Sequence, residues 1–173
     1  MELEQAFEHV LYGHGLLFLG AGFSCGAINV RNCPLKTGDE FARHLSTMID
    51  LPPNTRLEDA AEEFADSRGG DQLIQELEQE FTVNACAPFH TQILRHPWKR
   101  IYTTNYDNVA EFAASAVGKR LTPVTLGDQV REVSRTSTLC VHVNGYVERL
   151  TRSNLWSEIR LTDTIDSCLS NVL

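Results

Sequence analysis

The spacing of hydrophobic positions divides the chain into a largely helical first half and a second half in which strands alternate with helices. Leu3, Phe7, Val10 and Leu11 share one helical face, and Gly13 and Gly15 end that helix. Residues 16–19 follow as Leu-Leu-Phe-Leu, an unbroken apolar run of the kind found in parallel strands buried on both faces. The run enters Gly20-Ala21-Gly22 directly. A loop with Asn32, Pro34 and Gly38 as breakers leads into a helix over 39–49, where Phe41, Leu45 and Met48 share a face. Pro52-Pro53 stop it. Thr55 with Glu58 three residues later reads as the capping box of a further helix. The pattern then predicts helices over 57–67 and 72–81, split by Gly69-Gly70, and a short one over 88–94.

From residue 100 the texture changes. Arg100-Ile101-Tyr102-Thr103-Thr104 is β-branched and aromatic and predicts a strand. A helix over 108–116 ends at Gly118, a short strand covers 121–126, and 127–129 form a turn. Residues 138–143 make another strand that runs into Asn144-Gly145. At the end of the sequence, Ile165, Leu169 and Val172 repeat at helical spacing over 162–173, an apolar face in need of a partner. Strands alternating with helices predict an α/β fold: a Rossmann-like parallel sheet flanked by helices, with a helical insertion over about 39–94. Four strands are legible against about six in a doubly wound dinucleotide fold, so the sheet reads as incomplete at its C-terminal side.

Composition narrows the function classes. The 173 residues carry a net charge of −8, which argues against a nucleic-acid backbone as partner but leaves small phosphate ligands open. No apolar run approaches the roughly 20 residues of a membrane span, and the acidic N-terminus lacks a signal peptide's basic region; the expected setting is cytoplasmic. The five cysteines are odd in number and none are at C-x-x-C spacing, so reduced thiols are expected rather than disulfides, and no metal site.

Three stretches carry chemistry, each at the C-terminal end of a predicted strand, the edge where open α/β sheets bind ligands. In Gly20-Ala21-Gly22-Phe23-Ser24, the glycines let a backbone approach a pyrophosphate and Ser24 adds a hydroxyl; a tight turn without a ligand is the alternative. In Thr103-Thr104-Asn105-Tyr106-Asp107-Asn108, Asn105 can both donate and accept, which suits a ribose hydroxyl or a held water, while Asp107 or Asn108 can cap the following helix. In His142-Val143-Asn144-Gly145, His142 and Asn144 are two apart on a strand and so share a face, with His142 a natural general base or else a hydrogen-bonded structural histidine.

Together these stretches resemble the sirtuin-like family, and best its prokaryotic branch of anti-phage defence proteins that hydrolyse NAD. The GAGFS run at 20–24 and TTNYD at 103–107, in that order around a helical insertion, carry the resemblance, which spans nearly the whole chain. It implies NAD bound across the sheet edge, with Gly20, Ala21, Gly22 and Ser24 near the phosphates and Thr104, Asn144 and Gly145 beside them. Asn105 would position the nicotinamide ribose or the attacking water, His142 would act as base and Asp107 would orient Asn105 or the nicotinamide pocket. The nicotinamide–ribose bond would break through an oxocarbenium-like state, giving nicotinamide and ADP-ribose or a cyclised form. The cysteine pairs that bind zinc in lysine-deacetylating sirtuins are missing, which argues against that activity.

Two departures shape the expectation. Where the family ends its third strand in His-Gly, this chain has Asn144-Gly145, and His142 lies two positions earlier, about 6–7 Å back along the strand. The family also continues beyond this length, so the single domain over 1–173 reads as truncated, needing an oligomer, further domains or a partner protein on its C-terminal side. An NAD+ glycohydrolase is therefore the first expectation. A non-catalytic NAD- or ADP-ribose-binding regulatory module is the second, and an oligomerising scaffold the third.

Overall fold

A computed structural model describes residues 2–125, 128 and 137–155. Its elements are α1 (Leu3–Leu11), β1 (Leu16–Leu19), β2 (Ile28–Asn29), α2 (Gly38–Met48), α3 (Leu57–Arg68), α4 (Gly70–Phe81), β3 (Val83–Ala85), α5 (Pro88–Leu94), β4 (Arg100–Thr103), α6 (Val109–Ala116), β5 (Leu121–Thr125) and β6 (Thr138–His142). Short 3-10 turns cover Ala21–Ser24 and Val147–Arg149. The expected helix over 162–173 lies outside the described residues.

Four strands form one parallel sheet in the order β1-β4-β6-β5. This is the Rossmann-like α/β architecture that the pattern predicts. Leu19 pairs with Thr103, and Thr103 and Thr125 both pair with His142, so the last residues of all four strands stand in one row. The loops after β1, β4 and β6 consequently leave the sheet side by side, because those strands are neighbours. Backbone bonds extend the ladders beyond the strands, from Thr104 N–H to Leu19 O and from Val143 N–H to Thr103 O.

Two apolar clusters organise the packing. One lies between the sheet and α5 and α6, and includes Leu19, Phe23, Leu94, Ile101, Val109 and Cys140. The fully or nearly buried Ala110, Ala113 and Ala114 present no bulk between α6 and the strands. The other cluster joins α2, α3 and α4 through Phe41, Leu45, Phe64, Leu73 and Leu77, and takes in Tyr146, Val147 and Leu155 from the segment after β6. The insertion is thus packed against the chain that follows the last strand.

Several local expectations need correction. Arg56, not Thr55, precedes α3; the Thr55 hydroxyl donates instead to Pro52 O, closing a turn after the proline pair. The capping box belongs to α2, where Thr37 accepts from Glu40 N–H and the Glu40 carboxylate accepts from Thr37 N–H. Gly69 alone, at φ +97°, separates α3 from α4. β2 and β3 form a small antiparallel pair that the loop-like sequence around residue 29 conceals. β1 is not buried on both faces: it is an edge strand, and Leu16 and Phe18 are 51 % and 69 % exposed, with Phe18 stacked on Tyr102. Phe7 and Leu11 of α1 are likewise exposed among the described residues.

Candidate active site

The glycine loop and the loop after β4 are tied together by a short chain of hydrogen bonds. The Ser24 hydroxyl donates to Asp107 Oδ2 at 2.5 Å and accepts from Asn105 Nδ2 at 2.7 Å. The second hydrogen of Asn105 Nδ2 goes to Gly20 O at 2.9 Å. Both hydrogens of the amide are therefore engaged, and the group Asn105 has left to offer a ligand is its carbonyl oxygen. Asp107 Oδ1 accepts from Val109 N–H at 3.0 Å, so Asp107, the residue before the N-cap Asn108, satisfies the first N–H of α6. Asn108 is used elsewhere, accepting from Val83 N–H and donating to Glu148.

Burial pushes the Asp107 carboxyl above its ordinary value, against the Ser24 and Val109 hydrogen bonds and the nearby His142, which pull it down. Asp107 is 6 % exposed.

These residues line a cavity of about 300 Å³ between the sheet edge and the helical insertion. Ala21, Ser24 and Cys25 come from the glycine loop, and Thr104, Asn105, Tyr106 and Asp107 from the loop after β4. Asn144 comes from the turn after β6. The opposite wall is apolar, built from Phe41, Leu57, Ala61, Leu73, Leu77 and Phe81. That volume is at the lower end of the roughly 300–1,000 Å³ typical of ligand pockets, enough for one ring system and its sugar. Lys36 also lines the cavity, with its ammonium bound to the buried Glu80 at 2.5 Å.

Gly20 and Gly22 have φ values outside the left-handed region, and a Cβ placed on either meets nothing within 4 Å. Neither turn geometry nor packing demands glycine there. What the two positions provide is bare backbone facing open space. Gly145 differs: its φ of +98° requires glycine, and it turns the chain beside Asn144. The Asn144 amide nitrogen donates to Thr104 O at 3.1 Å, while its Oδ1 is buried without a hydrogen-bond partner among the described residues.

His142 does not share the face of Asn144. The strand ends at His142, so the alternation that would align residues two apart stops before it reaches Asn144. His142 is fully buried and absent from the cavity lining. Its Nδ1 faces Asn105 O at 3.2 Å, its Nε2 faces Glu111 Oε1 at 2.9 Å, and its ring lies against Tyr146. The structure therefore brings together Ala21, Ser24, Thr104, Asn105, Asp107 and Asn144 at the cavity. Gly20 and Gly22 lie beside it, and His142 is beneath Asn105.

Three functional supports have no clear signal in the sequence. Glu111 sits on α6 like any surface acid, yet it reaches His142. His90, on α5, is fully buried and donates from Nε2 to Phe23 O at 2.6 Å, which pins the glycine loop. Glu80 is fully buried at the end of α4 and accepts from Asn29 Nδ2 and from Lys36 N–H and Nζ, fixing the segment that closes the cavity. A carboxylate near the end of an amphipathic helix is an unremarked feature until its partners are known.

Among the described residues, no helix is long and apolar enough to cross a membrane. The four cysteines described, Cys25, Cys33, Cys86 and Cys140, are free. No family model matches the chain, and no curated protein matches its sequence.

Proposed function

We propose that this chain binds NAD+ at the cavity and cleaves its nicotinamide–ribose bond, as an NAD-depleting effector domain of the anti-phage type that its motifs resemble. The observation that carries the reading is the Ser24–Asn105–Asp107 network facing the cavity beside two glycines that nothing else requires. The bare backbone at Gly20 and Gly22 accommodates the pyrophosphate. The ribose and nicotinamide occupy the cavity, whose wall includes Asn144.

Bond cleavage places positive charge on the ribose ring. Acceptor oxygens and a buried carboxylate, all fixed before reaction, stabilise such charge where water cannot screen it. Asn105 Oδ1 holds the water that attacks the anomeric carbon. As the water oxygen bonds to carbon, the carbon–nitrogen bond to nicotinamide breaks and its electron pair leaves with nicotinamide. The water's proton passes through the Ser24 hydroxyl to Asp107 and then to solvent. The products are nicotinamide, ADP-ribose and a proton. No metal enters these steps, and in this reading His142 touches no substrate.

A second reading, a module that holds NAD or ADP-ribose without cleaving it, is favoured by one observation. No histidine lines the cavity among the described residues, and Asn144, at the position of the family's base, takes up no proton.

Thermal unfolding with NAD+ and with ADP-ribose tests the binding step that both readings share. A ligand at 100 times its Kd stabilises the native state by about 2.7 kcal/mol. Both ligands should raise the melting temperature of the native chain, and Asn105→Ala should lose most of the shift. No shift with either ligand at millimolar concentration overturns both readings.

A further inference from the structure

Among the described residues, His142 faces two acceptors and no donor. Asn105 O has no hydrogen to give, and Glu111 Oε1 belongs to a carboxylate. A neutral imidazole carries one N–H and would set a bare ring nitrogen against one of those oxygens. An imidazolium satisfies both. Asp107 lies close enough for the charge on His142 to help hold its carboxylate ionised. Thr103 and Thr125, paired with His142 across the sheet, are uncharged. Tyr146, against the ring, is held in its neutral form by burial and by Glu111. Burial and Glu111 likewise keep Cys140 a thiol.

The donor atoms of Glu111, Cys140 and His142 lie within 4.8 Å of one another, close enough to consider a metal ion. The geometry argues for a proton instead. The His142–Glu111 contact of 2.9 Å has hydrogen-bond length, shorter than the ~3.3 Å edge of a tetrahedron with metal–ligand bonds near 2.0 Å.

We infer that Glu111 and His142 form a buried carboxylate–imidazolium pair that grips the Asn105 backbone carbonyl and so sets the position of the Asn105 side chain in the cavity. Its consequence for ligand binding rests on the NAD reading of that cavity; the pair itself does not. Both are positioning residues: Glu111 acts on the cavity through His142, and His142 through Asn105. Asn105 is thereby fixed from two sides, by Ser24 and Gly20 at its amide and by His142 at its backbone.

The test is a nitrogen-15 spectrum of the imidazole groups in the full chain at pH 7. His142 is assigned by His142→Gln, or by through-bond correlation from its Cα if that variant fails to fold. Both ring nitrogens of His142 should carry protons in the native chain. In Glu111→Gln the amide can donate to Nε2, so the ring should hold one proton, on Nδ1. NAD+ affinity should then stay within about threefold, whereas Glu111→Leu, which leaves Nε2 of His142 without a partner, should weaken it about tenfold or more. A native His142 with one ring proton overturns the inference. So does a divalent metal at one per chain, or NAD+ affinity unchanged in Glu111→Leu. If NAD+ binds no form of the chain, the NAD reading fails and the ring-proton count still decides the pair.

Discussion

Replacing Ser24 by alanine removes one atom that serves two buried partners. Asp107 Oδ2 loses its hydroxyl donor and Asn105 Nδ2 loses one of its two acceptors. A hydrogen bond to a carboxylate contributes about 2 kcal/mol and one between neutral groups about 1 kcal/mol. Ser24→Ala should therefore cost about 3 kcal/mol at pH 7. For a chain of this size each kcal/mol moves the melting temperature by about 2–4 °C, so the shift should be about 9 °C.

The cost should also depend on pH. Ser24 holds the Asp107 carboxyl down against burial, so removing it raises the folded-state value further. The extra cost belongs to the ionised carboxylate. It is fully present above that raised value and shrinks as pH falls through it. Urea unfolding of both proteins at pH 7 and pH 4 should give a smaller difference at pH 4. A loss below about 0.5 kcal/mol at pH 7 would refute the network, since surface substitutions alone do that much. An equal loss at both pH values would refute the role of the carboxylate.

Other changes probe separate parts of the site. Gly22→Val, placed where a side chain meets open space, should leave stability within about 0.5 kcal/mol and abolish the melting-temperature rise with NAD+. Glu80→Ala strips Lys36 and Asn29 of a fully buried partner and should cost about 3 kcal/mol in urea unfolding. Asp107→Asn removes a carboxyl whose folded-state value burial raises above the ordinary 3.8. The native chain binds that proton more tightly than the unfolded one does, so its stability relative to Asp107→Asn should fall as pH rises from 4 to 7. A rise over that range in urea unfolding would contradict the burial argument.

The parts of this molecule that repeat along the chain were legible from sequence. Helices α2 to α6 and strands β4, β5 and β6 follow apolar periodicity and glycine or proline punctuation to within one or two residues. Convergence of the glycine loop, the Thr104–Asp107 loop and Asn144 was legible as well, because parallel strands deliver their C-terminal loops to one edge. Long-range pairing was not. Whether β1 lies inside the sheet or at its edge depends on strand order, which local periodicity does not encode. The place of His142 turned on where β6 ends, since one turn residue more or less decides which side a side chain takes. Glu111, Glu80 and His90 gain their meaning from partners 31 to 67 residues away, and residue type alone marks none of them.

The central claim is that the cavity cleaves NAD+. Nicotinamide release from NAD+ by the purified chain, followed beside Asn105→Ala, tests it most directly. The account predicts steady release by the native chain and loss of release in Asn105→Ala, with ADP-ribose formed in equal amount. NAD+ that binds and is recovered intact would contradict cleavage and leave the binding module, and release that persists in Asn105→Ala would place the chemistry outside this site.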